Sequence, residues 1–132
     1  MEDQDYAYRR LIVWQKAMEL VKLVYGQVKL LPSEERFALA DQLRRAVTSI
    51  PSNIAEGNGR ASNRDYAHFL AIARGSLFET MTQLEIAEAL GYCSVPQSIT
   101  SLASEIRRML GAMLQNMEHT TVNLNLQPQP KT

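Results

Sequence analysis

The sequence predicts an all-α protein, an antiparallel up-down-up-down four-helix bundle. Apolar residues recur at spacings of three and four along four segments, which is the period of a helix that buries one face. No stretch shows the alternation of apolar and polar residues that is typical of a half-buried strand. The connections between the four segments are short, and short connections place consecutive helices antiparallel.

The first segment, from about Arg9 to Leu30, carries two apolar stripes that together cover about half of the helix circumference. Pro32 stops this segment, because a proline cannot continue a helix. A face this wide exceeds what packing within one small bundle needs, so we expect the protein to be a homo-oligomer. The first stripe is a heptad seam and the second lies beside it: Leu11, Trp14, Met18, Val21, Tyr25 and Val28, and Val13, Ala17, Leu20, Val24 and Leu31.

The second segment is expected to begin near Ser33, a residue type that caps helix N-termini. Its apolar stripe stays in phase through Pro51, which predicts one continuous helix with a kink at Pro51. Small polar side chains are suited to satisfy the Val47 carbonyl and other groups freed there, namely Ser49, Ser52 and Asn53. The stripe consists of Phe37, Ala40, Leu43, Val47, Ile50 and Ile54, and the segment is expected to end at Gly57 and Gly59.

The third segment opens at Ser62, which forms an approximate capping box with Asp65, and it closes at Gly91. Pro96 opens the fourth, since proline fits the first helical turn. Their stripes are Tyr66, Phe69, Leu70, Ala73, Leu77, Met81, Leu84 and Ala87, and Ile99, Leu102, Ile106, Met109, Met113 and Met117. Small residues in the centre of the third segment favour close approach of another backbone: Ala71, Ala73, Gly75 and Ser76.

Residues 9–117 are therefore predicted to form the bundle. Residues 1–8 are predicted to be a disordered acidic N-terminus, and residues 118–132, which lose all periodicity, a flexible polar tail. The acidic N-terminus does not resemble a signal peptide, and charged residues interrupt every long apolar stretch, so we expect no membrane span. A single cysteine allows no internal disulfide, which suits the reducing cytoplasm where we expect the protein.

No catalytic, metal-binding or cofactor-binding pattern is present in the sequence. The glycines of residues 57–60 follow a helix and lack the third glycine or the Gly-Lys-Ser/Thr of a phosphate-binding loop. His68 and His119 have no evident acid partner and nucleophile nearby, and Cys93 is a lone loop cysteine. A di-metal bundle needs two Glu-x-x-His motifs, and Asp65 with His68 is a single imperfect case. We therefore expect no enzymatic activity, no cofactor and no metal.

Several polar residues lie at inward or nearly inward positions on the second and third segments: Asn53, Glu56, Ser76, Glu79 and Gln83. The main interpretation is a buried polar network that fixes helix register; a functional pocket and simple solvent exposure are the alternatives. Its expected donors, besides backbone groups near Pro51, are Arg44, Arg45 and Arg60.

The basic residues of the first segment form two groups. Arg9 and Lys16 share one face, and Lys22 and Lys29 share the other border of the apolar half. The formal net charge of zero speaks against general nucleic-acid binding, which normally needs a cationic surplus. In a ring of subunits, however, local basic groups would repeat by symmetry. The candidate contacts for nucleic acid or another partner are Arg9, Arg10, Lys16, Lys22, Lys29, Arg60 and Arg64.

Four stretches together resemble a known family: "LIVWQKAMELV", "LPSEERFAL", "QLRRAVTSIPSNIAEGNGR" and "FLAIARGSLFETMTQLEIAEALGY". They resemble the bacterial four-helix-bundle proteins named after reading frames in intervening sequences of large-subunit ribosomal RNA genes. The resemblance covers about residues 10–117. Residues that match the family motif are Arg44, Arg45, Ser49, Pro51, Asn53, Glu56, Gly57, Arg60, Phe69, Gly75, Ser76, Glu79 and Gln83.

The resemblance implies an antiparallel four-helix bundle that forms homo-oligomers, with rings of five subunits expected, and no enzymatic activity. It also implies a distant similarity to the accessory proteins of diversity-generating retroelements, which associate with a reverse transcriptase and nucleic acid. Two main hypotheses follow. One is a self-assembling module that binds RNA or an RNA-associated protein, and the other is a purely structural or regulatory protein-interaction module. A small-molecule site around Glu56, Glu79 and Gln83 is a third.

Overall fold

The structure, a computed structural model, describes residues 6–126. Four helices account for most of this part: α1 (Ile12–Val28), α2 (Leu39–Asn58), α3 (Asn63–Ala89) and α4 (Gln97–Leu126). Helices α1 and α3 each pack against both α2 and α4, and residues 6–126 contain no strand. The all-α, four-helix prediction is therefore confirmed, whereas the alternating direction of the helices and the kink stay predictions.

One continuous core lies between the four helices. Its fully buried large side chains come from every helix, and no described helix is long and apolar enough to cross a membrane. On α1 the buried residues are Val13, Ala17, Leu20 and Val24 of the second predicted stripe, together with Gln27 and with Val28 of the heptad seam. The largest side chains of the remaining core are Leu43, Ile50, Ile54, Leu70, Leu77, Leu84, Ile99, Ile106 and Leu110.

Helix α1 begins later than predicted, because the chain is extended at Leu11 (φ −75°, ψ 125°). A 3-10 turn, Ala7–Arg10, precedes it and is tied back onto α1. Gln15 Nε2 donates to the Arg9 carbonyl at 2.8 Å, and the Tyr8 ring meets Trp14 edge-on at 5.2 Å. Of the predicted disordered N-terminus, residues 1–5 lie outside the described residues, whereas Ala7 and Tyr8 belong to this turn.

The predicted start of the second helix at Ser33 is wrong. Residues Ser33–Glu35 form a separate 3-10 turn, and α2 begins at Leu39 after a non-helical Ala38 (φ −119°, ψ −102°). A carboxylate caps the helix instead, since Glu35 Oε1 accepts a hydrogen bond from the Leu39 amide at 3.3 Å. Phe37 falls in the connection and is 85% exposed, so its placement in the apolar stripe is also wrong.

Helix α2 runs without interruption through the buried Pro51. The neighbouring polar side chains bond back along the helix, as expected near a missing amide. Ser52 Oγ donates to the Thr48 carbonyl and Asn53 Nδ2 to the Ser49 carbonyl, both at 2.8 Å. The acceptors are thus the two carbonyls after Val47 rather than the Val47 carbonyl itself.

Gly57 is not a helix terminator, as the sequence suggested, but a helical residue at the contact between α2 and α3. A β-carbon at Gly57 would lie 2.9 Å from Tyr66 Cδ1 and 3.0 Å from Phe69 Cβ. Only glycine fits such an approach without displacing a neighbour. The C-cap is Gly59, whose amide bonds the Ala55 carbonyl at 3.2 Å.

The predicted ends of α3 are close to those observed. Ser62 Oγ accepts the Asp65 amide at 3.1 Å, which is the expected N-cap. At the other end Gly91 has φ 79°, and the Tyr92 amide bonds the Ala87 carbonyl at 3.0 Å, the pattern of a Schellman motif.

Helix α4 continues to Leu126, so the predicted bundle limit at residue 117 is not a helix end. No glycine or proline lies between Gly111 and Pro128, and nothing in that stretch therefore stops a helix. The rest of the predicted tail, residues 127–132, lies outside the described residues.

The carboxylate of Glu35 links the α1–α2 connection to the α3–α4 connection at one end of the bundle. Besides capping α2, Glu35 accepts a hydrogen bond from Tyr92 Oη at 2.8 Å through its second oxygen. This bond, with burial and the negative charge of Glu35, raises the pKa of Tyr92. Beside it, the buried Gln27 of α1 donates to the Ser94 carbonyl at 3.1 Å.

We expect Gly57→Ala to lower the free energy of unfolding by about 1–3 kcal/mol, because the added methyl overpacks the α2–α3 contact. Gly59→Ala is the matched control. Its β-carbon would meet nothing closer than 3.7 Å, and its φ of −83° suits any residue. The control is expected to change stability by less than about 1 kcal/mol. Urea unfolding of both variants measures the difference, and equal losses would contradict the assigned role of Gly57.

The raised pKa of Tyr92 predicts a loss of stability in alkali. The unfolded tyrosine loses its proton near pH 10, whereas the folded one holds it to higher pH. The bond therefore stabilises the fold fully below about pH 10 and progressively less as the pH rises through the folded pKa. Tyr92→Phe should lack this component, so the stability difference between the two proteins should shrink above pH 10. A difference that is constant from pH 7 to 11 would contradict the assignment.

Candidate functional site

A hydrogen-bonded seam joins the middle of α2 to the middle of α3. Ser49 Oγ lies 2.9 Å from Ser76 Oγ, and Asn53 Nδ2 donates to the same Ser49 oxygen at 2.8 Å. Thr80 Oγ1 donates to the Ser76 carbonyl at 2.8 Å and is fully buried. Ser49 thus connects Asn53 with Ser76, and the Ser49–Ser76 bond, which crosses the seam, restrains the register of the two helices.

A second polar group lies further along the same pair of helices. Gln83 is only 6% exposed, and its Nε2 donates to Gln42 Oε1 and to Glu79 Oε2, each at 3.3 Å. Gln83 Oε1 is buried and has no hydrogen-bond partner. Sequence reasoning missed Gln42, although its position seven residues before Ser49 places it on the same side of α2.

Glu56 and Arg60 form a third group at the end of α2, apart from Gln83. Arg60 Nη2 donates to Glu56 Oε2 at 2.6 Å, and the guanidinium lies 4.7 Å from the centre of the Phe69 ring. Both charged side chains are about half exposed. Glu56 is therefore exposed rather than part of a buried network, although its partner is Arg60, one of the expected donors, four residues further along the chain.

Two of the three arginines expected to donate to the network, Arg44 and Arg45, bond elsewhere. Asp41, one turn earlier on α2, takes both of them: Arg45 at 3.0 Å and Arg44 at 3.9 Å. Arg44 also donates to the Arg36 carbonyl at 3.3 Å. A carboxylate three or four residues away on the same helix is simply closer than one on α3.

Two surface grooves lie away from these polar groups. One, of ≈ 250 Å³, lies between the N-terminal turn, α1 and α2, and is lined by Tyr8, Trp14, Met18, Pro51, Ser52 and Ala55. The other lies between α3 and α4 and is almost entirely apolar. Neither is lined by Glu56, Glu79 or Gln83.

Reactive or metal-binding chemistry finds little support in the geometry. Within residues 6–117, no group of three or more histidine, cysteine, aspartate or glutamate side chains could hold a metal ion. Burial raises the pKa of the half-buried Cys93 thiol, and the nearby Glu88 charge adds to this. A raised pKa keeps the thiol protonated and so lowers its nucleophilicity.

The structure does not gather the predicted basic contacts into one patch. Lys16 pairs with Glu105 of α4 at 3.3 Å, and Arg60 is held by Glu56. Lys22 is exposed on α1, Lys29 is exposed at its C-cap, and Arg64 is exposed at the start of α3. Arg9 and Arg10 lie in the N-terminal turn and make interactions of their own.

The heptad seam predicted on α1 is only partly covered. Four of its residues line the helix beside the buried stripe, and we call them the α1 stripe: Trp14, Met18, Val21 and Tyr25. Met18 and Tyr25 are each 38% exposed, and Trp14 and Val21 are half-buried. The chain thus buries one of the two predicted stripes and leaves much of the other open to contact.

Helix α3 also exposes apolar side chains beside its seam with α2. Ile72 is 39% and Ile86 43% exposed, and the exposed Glu79 lies midway between them in the sequence. We call these three residues the α3 stripe. The neighbouring Gly75 faces open space, since a β-carbon there would meet nothing within 4 Å. Its small size therefore serves no close contact within this chain.

Comparisons with known proteins place the chain among described relatives. A family model for the 23S rRNA-intervening sequence protein matches residues 9–112. A solved structure, a protein of unknown function from the S23 ribosomal protein family of Bacteroides thetaiotaomicron, aligns with a TM-score of 0.71 and 28% identity. That alignment covers 78% of this chain and 98% of the other. A search of curated proteins finds no match.

A double-mutant cycle tests the seam. Ser49→Ala is expected to cost about 1–3 kcal/mol of unfolding free energy, because Ser76 Oγ loses its partner and Asn53 loses one of its two acceptors. Ser76→Ala removes one partner only and should cost less, about 1 kcal/mol. The double variant should cost less than the sum, since neither hydroxyl then remains unpaired. Strict additivity in urea unfolding would show that the two hydroxyls do not interact.

Proposed function

The chain belongs to the 23S rRNA-intervening sequence protein family, and on that premise we propose that it is a non-enzymatic cytoplasmic module that assembles with copies of itself. The observation that carries the proposal is the α1 stripe. Half-exposed aromatic and methionine side chains in one row are typical of protein interfaces rather than of free surfaces. The family resemblance points to a closed ring of five subunits.

Burial within the chain explains why a partner is needed. The bundle core uses the α1 side that carries Val13, Ala17, Leu20 and Val24, and these side chains are at most 1% exposed. Met18 and Tyr25 lie on a neighbouring side of α1, and each leaves 38% of its surface exposed to water. Covering that surface with another subunit is favourable by about 25 cal/mol per Å².

The proposed lack of enzymatic activity is supported by the bonding of the polar side chains. Ser49, Asn53 and Ser76 bond one another across the seam, which gives them a structural use. The thiol of Cys93 is held protonated by its raised pKa. These features support a module that acts by binding a partner rather than by catalysing a reaction.

Binding of RNA, or of an RNA-associated protein, is the second candidate function. The family description favours it, because the family is named for sequences inserted in ribosomal RNA. In a ring, Lys22, Lys29 and Arg64 would repeat in every subunit, and their fields would add. The zero net charge and the pairing of Lys16 and Arg60 favour instead a module that binds protein alone.

Recovery of the native protein from lysate, with sequencing of retained RNA and mass spectrometry of retained protein, separates these two readings. Salt-dependent retention of one structured RNA supports the RNA reading, because phosphate contacts weaken steeply as salt rises. Undetectable RNA affinity at about 50 mM salt would remove direct RNA binding from the proposal.

Self-assembly predicts that the protein exceeds monomer mass in light scattering at micromolar concentration. Met18→Asp with Tyr25→Asp should convert it to monomer, because each change places a charge where apolar contact is required. Phe37→Asp is the matched control, since Phe37 is an exposed aromatic outside the α1 stripe. A monomeric wild-type protein, or an unchanged mass in the double variant, would contradict the proposal.

A further inference from the structure

We propose that the α1 stripe of one subunit docks on the α3 stripe of the next, in a head-to-tail contact between unlike surfaces. This inference rests on the proposed self-assembly and assigns its two faces. The occupant of the α3 stripe is therefore a second copy of this chain.

The two stripes match in spacing. On α3, Ile72, Glu79 and Ile86 succeed one another at intervals of seven residues. On α1, Met18 and Tyr25 are seven apart, and so are Lys22 and Lys29, both exposed at the edge of the stripe. Side chains that repeat every seven residues on both helices can interlock along a shared line of contact, as in a coiled coil.

The charges favour pairing of unlike stripes. None of the ion pairs within the described part of the chain involves Glu79, Lys22 or Lys29. Contact of two α1 stripes would bring lysines together, and contact of two α3 stripes would bring Glu79 against Glu79. Only the mixed contact sets opposite charges against each other, and like charges in an interface are costly.

A contact between unlike surfaces is heterologous, and repetition of it closes a ring or extends a filament. An isologous dimer, in contrast, would use the same patch on both subunits. The two arrangements predict different behaviour for variants in which only one of the two stripes is altered, and this difference supplies the test.

The test uses two full-length variants. One carries Met18→Asp and Tyr25→Asp in the α1 stripe, and the other carries Ile72→Asp and Ile86→Asp in the α3 stripe. Each alone should be monomeric, whereas a 1:1 mixture should form a heterodimer through the one intact face of each, seen by sedimentation velocity. Circular dichroism and urea unfolding confirm that the variants, all changed at exposed or half-exposed positions, remain folded.

The outcomes separate the inference from its premise. A monomeric wild-type protein overturns self-assembly itself. An assembled wild type with an α3-stripe variant that still assembles alone keeps self-assembly and overturns the assigned faces. A mixture that yields no heterodimer, while the wild type assembles, also overturns them.

Cross-linking measures the contact directly. In a Cys93→Ser background, Lys22→Cys or Lys29→Cys subunits are mixed with Glu79→Cys subunits and treated with a short bismaleimide. Mixed dimers should form for at least one lysine position, and Gln115→Cys on α4 is the control that should yield none with Glu79→Cys. Cross-links within the Lys22→Cys protein alone, and none in the mixtures, would overturn the pairing.

Discussion

Helices α2 and α3 approach so closely at Gly57 that a β-carbon there would lie 2.9 Å from the Tyr66 ring. The rest of the arrangement depends on this approach. It brings Ser49 within hydrogen-bond distance of Ser76 further along the seam, and it lets Gln83 reach Gln42. With one side-chain atom more at this position, the two helices would separate and these bonds would lengthen.

The polar groups along the seam divide into those that are satisfied and those that are not. Ser49, Ser76 and Asn53 satisfy one another, as is usual for buried polar atoms and consistent with a role in register. Gln83 is different, because its amide nitrogen is bonded while its oxygen is buried without a donor. The buried polar atoms at the centre of the seam are thus satisfied, whereas one buried acceptor at Gln83 is not.

The fold was largely predictable because apolar periodicity reports directly on burial. It located four helices and a continuous α2, and local residue types located the Ser62 cap and the Gly91 terminus of α3. Features that depend on distant neighbours were not predictable. The carboxylate of Glu35 is bonded to Tyr92, 57 positions away, and its cap displaced the expected start at Ser33. The expected partners of Arg44 and Arg45 were wrong for a related reason, since the Asp41 carboxylate lies closer on the same helix.

Gly57 also bears on symmetry. The α1 and α3 stripes lie on separate helices, and α2 packs against both of them. In a head-to-tail assembly, the angle between the two docking faces fixes the rotation from one subunit to the next, and thereby the number of subunits that close a circle. A substitution that moves α3 relative to α2 would change this angle even without touching an interface residue. The absence of one methyl group inside the subunit would then help to set the stoichiometry of the whole assembly.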